Sequence, residues 1–248
     1  MTAFQAVFLG ILQGLTEFLP ISSSGHLVIG QKLLGLTTPP VFFDVFVHLG
    51  TLLAIICYFK QRIIAFYQKK DNLKLIIIGS LPACLAGFFL NNFLEVIFSS
   101  LKGVGFSLLI TAGLLFSSLF TQGRKRVGEL RGKDSLIIGL FQALALFPGV
   151  SRSGSTVTAG LWRGLKRKAA FNFSFFLGAP AFLAALILQL AEFGATDGQL
   201  KAGLAGFVFA FFSGLVSLKL FEKVVLKGKL FFFSLYCLFL GLGLVVFY

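Results

Sequence analysis

The chain has 248 residues, of which 57% are hydrophobic and only 12% are charged, and its formal net charge is +13. A soluble domain of this size rarely carries so few charges, and apolar runs of about 18 residues or more are typical of segments that cross a bilayer. The positive charge could indicate a nucleic-acid partner, but the basic residues fall in short blocks between apolar runs, as in the cytoplasmic loops of membrane proteins. The composition therefore predicts an integral membrane protein with no nucleic-acid partner.

The amino terminus, "MTAFQAVFLGILQG", has no basic region and no evident cleavage site, so we expect no removable signal peptide. Six segments further along the chain are long enough to span a bilayer. They are residues 41–59, 75–90, 104–122, 170–191, 202–218 and 230–248.

The charges of the loops predict the orientation of these spans. Basic loops at 60–74, 123–133 and 219–229 are expected in the cytoplasm, because cytoplasmic loops carry an excess of Lys and Arg. The weakly charged loops at 91–103 and 192–201 are expected outside. With these loops inside and outside, each of the six spans crosses the membrane from one side to the other.

Two further apolar segments, 1–30 and 135–162, are interrupted by "FLPISSSGH" and "FPGVSRSGST". Non-helical backbone at membrane depth survives only where it is buried in protein or lines a wet cavity. The second segment is flanked by basic residues on both sides, so it should enter and leave from the cytoplasm. The first precedes a span that starts outside, so it should enter and leave from the outer side. We therefore predict two re-entrant helical hairpins.

The two interruptions resemble each other. "QGLTEFLPISSSG" begins at Gln13, and "QALALFPGVSRSG" begins at Gln142, 129 positions later. Each half would hold one hairpin and three spans, so the second copy would be inverted relative to the first. The sequence thus predicts an all-α polytopic membrane protein with six transmembrane helices and two re-entrant hairpins. It would be a single domain over 1–248, built from an inverted repeat at 1–133 and 134–248.

The second interruption carries Arg152 between Ser151 and Ser153. An ionisable side chain at membrane depth is costly and usually marks a functional cavity. Hydroxyls and backbone N–H groups can donate to an anion there, and a guanidinium can bind two of its oxygens. The motif predicts a cradle for phosphate or carboxylate; the alternative is a packing turn whose arginine reaches back to the interface.

The first interruption carries Glu17, four residues after Gln13 and therefore on the same helix face. Glu17 could act as a general base or hold a divalent cation. One of the serines at 22, 23 and 24 could be a nucleophile, and His26 could be its base, an acid for the leaving group, or itself the nucleophile. A serine-rich helix cap is the structural alternative.

Asp44 and His48 are also four residues apart, within "FFDVFVHLGTLL". They either line the cavity or bond to each other across one helical turn. Cys57, Cys84 and Cys237 lie singly within apolar runs without metal-ligand or redox spacing, so we expect buried, reduced thiols.

Together the motifs carry a family resemblance. "QGLTEFLPISSSGH" fits a (Glu/Gln)-x-x-x-Glu motif with Ser and His downstream, and "PGVSRSGST" fits Pro-Gly-x-Ser-Arg-Ser-x-x-Thr. In these motifs, and along nearly the whole chain, the sequence resembles the undecaprenyl-diphosphatase family, also called bacitracin-resistance proteins.

The resemblance implies removal of one phosphate from undecaprenyl diphosphate, which regenerates the lipid carrier of cell-wall synthesis. It also implies the fold above in a bacterial cytoplasmic membrane, a site open to the periplasmic side, a supporting divalent cation (Mg or Ca), and a homodimer. By motif, the functional positions are Glu17, Ser23, His26, Ser151, Arg152 and Thr156.

We accordingly assign catalysis to Glu17, Ser23, His26 and Arg152. Phosphate binding is assigned to Gln13, Ser22, Ser24, Ser151, Arg152, Ser153 and Thr156. Ser23 with help from His26 and Glu17 is our preferred nucleophile, with His26 or a metal-bound water as alternatives. The rival function is an inverted-repeat transporter or flippase for an anionic or lipid-phosphate substrate, which would have less use for acid–base groups beside a hydroxyl.

Overall fold

The computed structural model describes residues 1–36, 41–98, 100–191 and 197–248. Over these ranges the chain forms ten α-helices and no strand, which confirms the predicted all-α class. The helices are α1 (Ala3–Phe18), α2 (Ser23–Leu33), α3 (Val41–Tyr67), α4 (Lys70–Phe98), α5 (Leu101–Ser117), α6 (Gly132–Leu144), α7 (Arg152–Trp162), α8 (Arg167–Ala191), α9 (Asp197–Leu226) and α10 (Phe231–Phe247).

Four stretches among the described residues are helical, long and apolar enough to cross a bilayer. They are Phe42–Tyr67, Lys70–Phe89, Leu101–Phe120 and Gln199–Leu226. The chain is therefore a multi-pass membrane protein, and these stretches overlap four of the six predicted spans. Of the other two, 170–191 lies on α8, and 230–248 coincides with α10, an apolar helix of 17 residues.

Large apolar side chains cover the outer surface of these helices. Phe88 is 81% exposed and Phe89 is 74% exposed, which lipid contact explains and water would penalise. Cys57 and Cys84 are also exposed, whereas Cys237 is buried. The expectation of three buried thiols is wrong for the first two, because an apolar run in a membrane helix presents one side to lipid.

Among the described residues, four pairs of helices pack closely along their lengths: α1 with α9, α3 with α9, α5 with α10, and α4 with α6. In three of these pairs, all except α3 with α9, a glycine of one helix lies against a glycine of the other. The pairs are Gly10 with Gly206, Gly79 with Gly139, and Gly105 with Gly241. Small residues at such crossings let two backbones approach, which is how membrane helices gain van der Waals contact.

Helices α1 and α2 form one helix–turn–helix hairpin, and α6 and α7 form another. At the open end of each hairpin, a side-chain hydrogen bond joins the two arms. Gln5 Nε2 donates to the Leu34 carbonyl oxygen at 3.2 Å, and Arg163 Nε donates to Asp134 Oδ1 at 2.7 Å. The two hydrogen bonds lie at corresponding positions, because Asp134 follows Gln5 by 129 residues and Arg163 follows Leu34 by 129 residues.

Asp134 lies at the charged end of the second hairpin, outside the apolar spans, and its side chain is only 4% exposed. Burial alone would raise the pKa of this carboxyl. Hydrogen bonds from the Arg131 backbone N–H and from Arg163, together with the charge of Lys125, outweigh burial and hold the pKa of Asp134 below its usual value.

The only tryptophan of the chain, Trp162, ends α7 beside this cluster. Its ring packs edge-on against Phe141 of α6, with ring centroids 5.1 Å apart. The aromatic pair adds a contact between the two arms of the second hairpin.

Replacing Gly139 with alanine should push α6 away from α4. A Cβ atom at Gly139 would lie 2.0 Å from the Gly79 carbonyl oxygen, whereas a Cβ at Gly113 within α5 would meet nothing within 4 Å. Alanine is preferred over glycine inside helices by about 1 kcal/mol. We therefore expect Gly139→Ala to lower the melting temperature in detergent by several degrees, while the matched control Gly113→Ala keeps or raises it. Equal melting temperatures for the two variants would contradict the close crossing.

Candidate active site

The turns of the two hairpins lie in contact. The Gly149 backbone N–H donates to Ser22 Oγ at 3.0 Å, and Ser153 Oγ donates to the Leu19 carbonyl oxygen at 3.4 Å. The two sequence motifs, which are far apart in the chain, therefore meet at one place.

Each turn ends in a serine that caps the following helix. Ser22 Oγ accepts from the Gly25 N–H at 3.4 Å at the start of α2, and Ser151 Oγ accepts from the Gly154 N–H at 3.1 Å at the start of α7. Ser22 has a φ of 69°, the only positive φ of a non-glycine residue in the described part of the chain. Such strain costs about 1–3 kcal/mol and is retained where the surroundings fix it, often at functional sites.

The Glu17 carboxylate, near the end of α1, accepts hydrogen bonds from three side chains. Gln13 Nε2 donates to Oε2 at 3.1 Å and Ser23 Oγ donates to the same oxygen at 2.5 Å. Arg152 Nη2 donates to Oε1 at 3.1 Å. Glu17 is 7% exposed and Arg152 is 17% exposed, so this is a buried ion pair between the two hairpins.

The Arg152 guanidinium has a further donor to offer. Its Nη1 atom is buried and has no hydrogen-bond partner among the described residues. The group lies over the rings of Phe175 and Phe182, at 5.8 and 5.9 Å from their centroids. Gly178 leaves the space for it, because a Cβ there would lie 2.2 Å from Nη1. An anion entering the site would find this donor unoccupied.

His26 does not contact the hydroxyl of Ser23 through either ring nitrogen. Nδ1 lies 2.7 Å from the Ser22 carbonyl oxygen, and Nε2 lies 2.7 Å from the Tyr236 hydroxyl. Ser23 Oγ instead donates to Glu17. The geometry therefore favours Glu17 over His26 as the proton acceptor for Ser23.

The remaining hydroxyls of the predicted phosphate site pair with each other or with backbone. Ser22 and Ser24 hydroxyls lie 3.2 Å apart, as do those of Ser151 and Ser153. Thr156 lies deeper: its hydroxyl donates to the Arg152 carbonyl oxygen at 2.8 Å, and it meets Ser174 Oγ at 2.5 Å. Thr156 thus links α7 to α8 one helical turn after Arg152.

His48 borders the site, and Asp44 lies one helical turn before it. His48 Nδ1 is 2.6 Å from the backbone oxygen of Asp44, so the two residues bond through the backbone rather than through the carboxylate. The carboxylate accepts from Gln31 Nε2 at 3.4 Å. The His48 ring packs at 5.6 Å against Phe182, the same ring that lies beneath Arg152.

Thr111 contacts the second turn and Tyr236 contacts His26 at the start of α2, but neither residue belongs to a sequence motif. Thr111 Oγ1, on α5, donates to the Gly149 carbonyl oxygen at 2.9 Å and accepts from the Ser151 N–H at 3.0 Å. A single Thr or Tyr within an apolar run gives no sequence signal that separates it from its neighbours. Their roles appear only when the helices are assembled.

The acidic and sulfur ligands available for a metal are few. Among the described residues, no three His, Cys, Asp or Glu side chains come together as a metal cluster. Glu17 stands beside the Ser23 hydroxyl and the amide of Gln13, whose oxygen is buried. Mg²⁺ commonly binds through one or two carboxylates plus substrate phosphates and water. The residues present therefore fit a cation that arrives with a phosphate ligand better than a preformed metal centre.

The amino-acid sequence matches the bacitracin resistance protein BacA family over residues 6–243. The chain belongs to this family. The undecaprenyl-diphosphatase of Halothermothrix orenii is 40% identical to it over 254 residues, covering 99% of this chain and 98% of the relative. That of Korarchaeum cryptofilum is 40% identical over 263 residues, covering 99% of each. Undecaprenyl-diphosphatase 4 of Bacillus thuringiensis subsp. konkukian is 38% identical over 252 residues, covering 99% and 96%. The family resemblance inferred from the two motifs is confirmed.

In this family member Thr111 should hold the arginine-bearing turn. Thr111→Val keeps the shape but leaves the Gly149 carbonyl and the Ser151 N–H buried without their partner, at about 1–3 kcal/mol for each group. We expect faster hydrogen exchange at the Ser151 amide and a lower melting temperature, measured by mass spectrometry and thermal unfolding in detergent. Thr111→Ser, which keeps the hydroxyl, should restore slow exchange. Equal exchange in the two variants would refute this role.

Proposed function

We propose that the chain is an integral membrane phosphatase that hydrolyses undecaprenyl diphosphate to undecaprenyl phosphate and inorganic phosphate. The names of its relatives and the match over nearly the whole chain support the substrate. One observation carries the chemistry: Glu17 binds the Ser23 hydroxyl and the Arg152 guanidinium at the same time. A nucleophile, its base and an anion-binding group are thereby joined. By family, the enzyme would confer bacitracin resistance and recycle the carrier for peptidoglycan synthesis.

The diphosphate would bind where two helix N-termini meet. Helices α2 and α7 both begin at the turns, with 11 residues each, and the positive ends of their dipoles favour an anion there. Arg152 Nη1 has a hydrogen bond to give, and the hydroxyls of Ser24 and Ser153 can turn from their serine partners toward phosphate oxygens. These donors would stabilise the charge that builds on the phosphoryl oxygens in the transition state.

Ser23 would attack the terminal phosphorus while Glu17 accepts the hydroxyl proton. The bond from that phosphorus to the bridging oxygen breaks, and undecaprenyl phosphate leaves with the bridging oxygen. Water then cleaves the phosphoserine, returning the proton to Ser23 and releasing inorganic phosphate. At rest Arg152 neutralises Glu17; an incoming phosphate competes for the guanidinium and so frees the carboxylate to act as a base.

A divalent cation, Mg or Ca, would be held by Glu17 together with phosphate oxygens and water. When bound, it would neutralise negative charge on the diphosphate. The binding and proton-transfer roles above belong to the protein's own residues, and the cation would add to Arg152 rather than replace it.

We further propose that the two halves form an inverted repeat with six spans and two re-entrant hairpins. Matching features recur 129 positions apart in the two hairpins. At the start of each first arm, a side chain accepts from the backbone N–H three residues earlier: Gln5 from Thr2 at 2.8 Å, and Asp134 from Arg131 at 3.0 Å. A glycine with positive φ follows each second arm, at Gly35 and Gly164. The partners of these arms also correspond, because α1 packs on α9 of the other half and α6 packs on α4.

The ends of the helices support an orientation in a bacterial inner membrane. Arg62 near the end of α3 pairs with Glu222 near the end of α9 at 2.8 Å, in the region of the basic loops. At the end of α2, Lys32 lies 5.1 Å from the ring centroid of Tyr248, so α2 and α10 finish on the same side. If the basic loops lie in the cytoplasm, the first hairpin and the mouth of the site lie on the periplasmic side. The homodimer stays a prediction.

A transporter or flippase is the alternative for this architecture. The contact between Ser23 and Glu17 favours hydrolysis, because an anion carrier gains nothing from placing a carboxylate against a hydroxyl in its binding site.

Phosphate release from undecaprenyl diphosphate by detergent-purified protein tests the function. We expect release that Mg or Ca increases. Arg152→Ala, Glu17→Gln and Ser23→Ala should each lower kcat/KM by at least about 100-fold, the scale of losing a transition-state donor or a general base. Arg124→Ala, at an exposed loop arginine, is the matched control and should keep full activity. A folded wild type that releases no phosphate with either metal would contradict the phosphatase and favour the transporter.

Labelling of single cysteines tests the topology in a background without the three native ones. Leu33→Cys, at the open end of the first hairpin, and Lys133→Cys, at that of the second, are both at exposed positions. In intact cells with a permeable outer membrane, an impermeant maleimide should label only the first. The second should react only after the inner membrane is opened. Labelling of both from one side would rule out inverted hairpins.

A further inference from the structure

His26 is bound at both ring nitrogens by groups from distant parts of the chain. Nδ1 lies 2.7 Å from the Ser22 carbonyl oxygen, and Nε2 lies 2.7 Å from the hydroxyl of Tyr236, which is 210 residues further on. The rings of His26 and Tyr236 also stack, with centroids 5.7 Å apart and an interplanar angle of 14°. Helix α10 therefore contacts the start of α2 through Tyr236, and it reaches the first turn through Cys237, whose Sγ lies 3.8 Å from the Pro20 carbonyl oxygen.

The protonation of this pair follows from its partners. A carbonyl oxygen can only accept a hydrogen bond, so His26 Nδ1 carries the hydrogen. In the neutral ring Nε2 then holds the lone pair, and the Tyr236 hydroxyl donates to it. The one nitrogen with which neutral His26 could take up a proton or attack phosphorus is covered by Tyr236.

We propose that Tyr236 is a positioning residue for the reaction. Its hydroxyl fixes neutral His26 in the Nδ1–H form, and His26 in turn holds the carbonyl of Ser22, the residue before Ser23. The inference rests on the proposed phosphatase function for its kinetic consequence, but the hydrogen-bond arrangement can be measured without any turnover.

The strain at Ser22 explains why this support is needed. Its φ of 69° persists only while its surroundings fix the backbone. The Ser22 hydroxyl accepts from the Gly149 N–H at 3.0 Å and from the Gly25 N–H at 3.4 Å. Its carbonyl accepts from the His26 backbone N–H at 3.3 Å and, in the shortest of these hydrogen bonds, from His26 Nδ1 at 2.7 Å. If His26 turns, the peptide between Ser22 and Ser23 can relax, and Ser23 Oγ leaves the oxygen of Glu17 to which it donates.

The chain has only two histidines, His26 and His48, so the protein labelled with ¹⁵N-histidine gives two sets of ring signals. His48→Gln assigns them. In the wild type, His26 should show the Nδ1–H form, and its Nε2 signal should move in Tyr236→Phe, which keeps the ring and loses the hydroxyl. Tyr248→Phe is the matched control on the same side of the protein and should move neither signal.

In the phosphate-release assay, Tyr236→Phe should lower kcat about tenfold, the effect of one strong hydrogen bond, and leave KM within about twofold. KM is spared because Arg152 and the helix N-termini bind the headgroup. In a His26→Gln background, Tyr236→Phe should have no further effect, since the two residues act through one contact.

An Nε2–H form of His26, or a signal that Tyr236→Phe leaves in place, overturns the proposal. So does a signal that moves while kcat stays unchanged, or an additive loss in the double variant. A wild type that releases no phosphate would refute the phosphatase, and with it the kinetic role of Tyr236, while the NMR result would still report on the hydrogen bond.

Discussion

The ion pair between Glu17 and Arg152 is the contact on which the site depends. A carboxylate or a guanidinium this deeply buried costs several kcal/mol if it is left unpaired. Glu17 lies on α1 and Arg152 begins α7, so each charge is compensated only when the turns of both hairpins face each other. The pairing of charges thus couples the assembly of the fold to the assembly of the site. In the proposed mechanism, a substrate phosphate would compete for the guanidinium that holds the two turns together.

Around this ion pair, polar groups form hydrogen bonds with nearby residues, and apolar side chains occupy the remaining space. Serine caps at 22 and 151 take up free N–H groups of α2 and α7, and Thr111 bridges the second turn from α5. Phe175 and Phe182 cover the guanidinium from α8. Water is thereby limited near the ion pair, and in such surroundings charges act over short distances with little screening.

Much of this arrangement could be predicted from the sequence, because it follows from local patterns of residues. Apolar run length predicts helices, and Pro, Gly and Ser clusters mark the turns. Charged residues inside apolar runs point to Glu17 and Arg152. What sequence could not supply is the partner of each group. His26 follows Ser23 by three positions, so a direct contact was a reasonable expectation, but its ring turns back to the Ser22 carbonyl and on to α10. Tyr236 and Thr111 reach the site only through tertiary packing, and neither breaks the apolar pattern around it.

The contact of Trp162 with Phe141 has an optical consequence. With one indole in the whole chain, near-ultraviolet emission excited at long wavelength originates from a single place, the base of the second hairpin. The quantum yield and colour of that emission respond to how closely α7 stays against α6. The intrinsic fluorescence of Trp162 therefore reports on the position of α7, the helix that bears Arg152, in detergent or in vesicles without any attached dye.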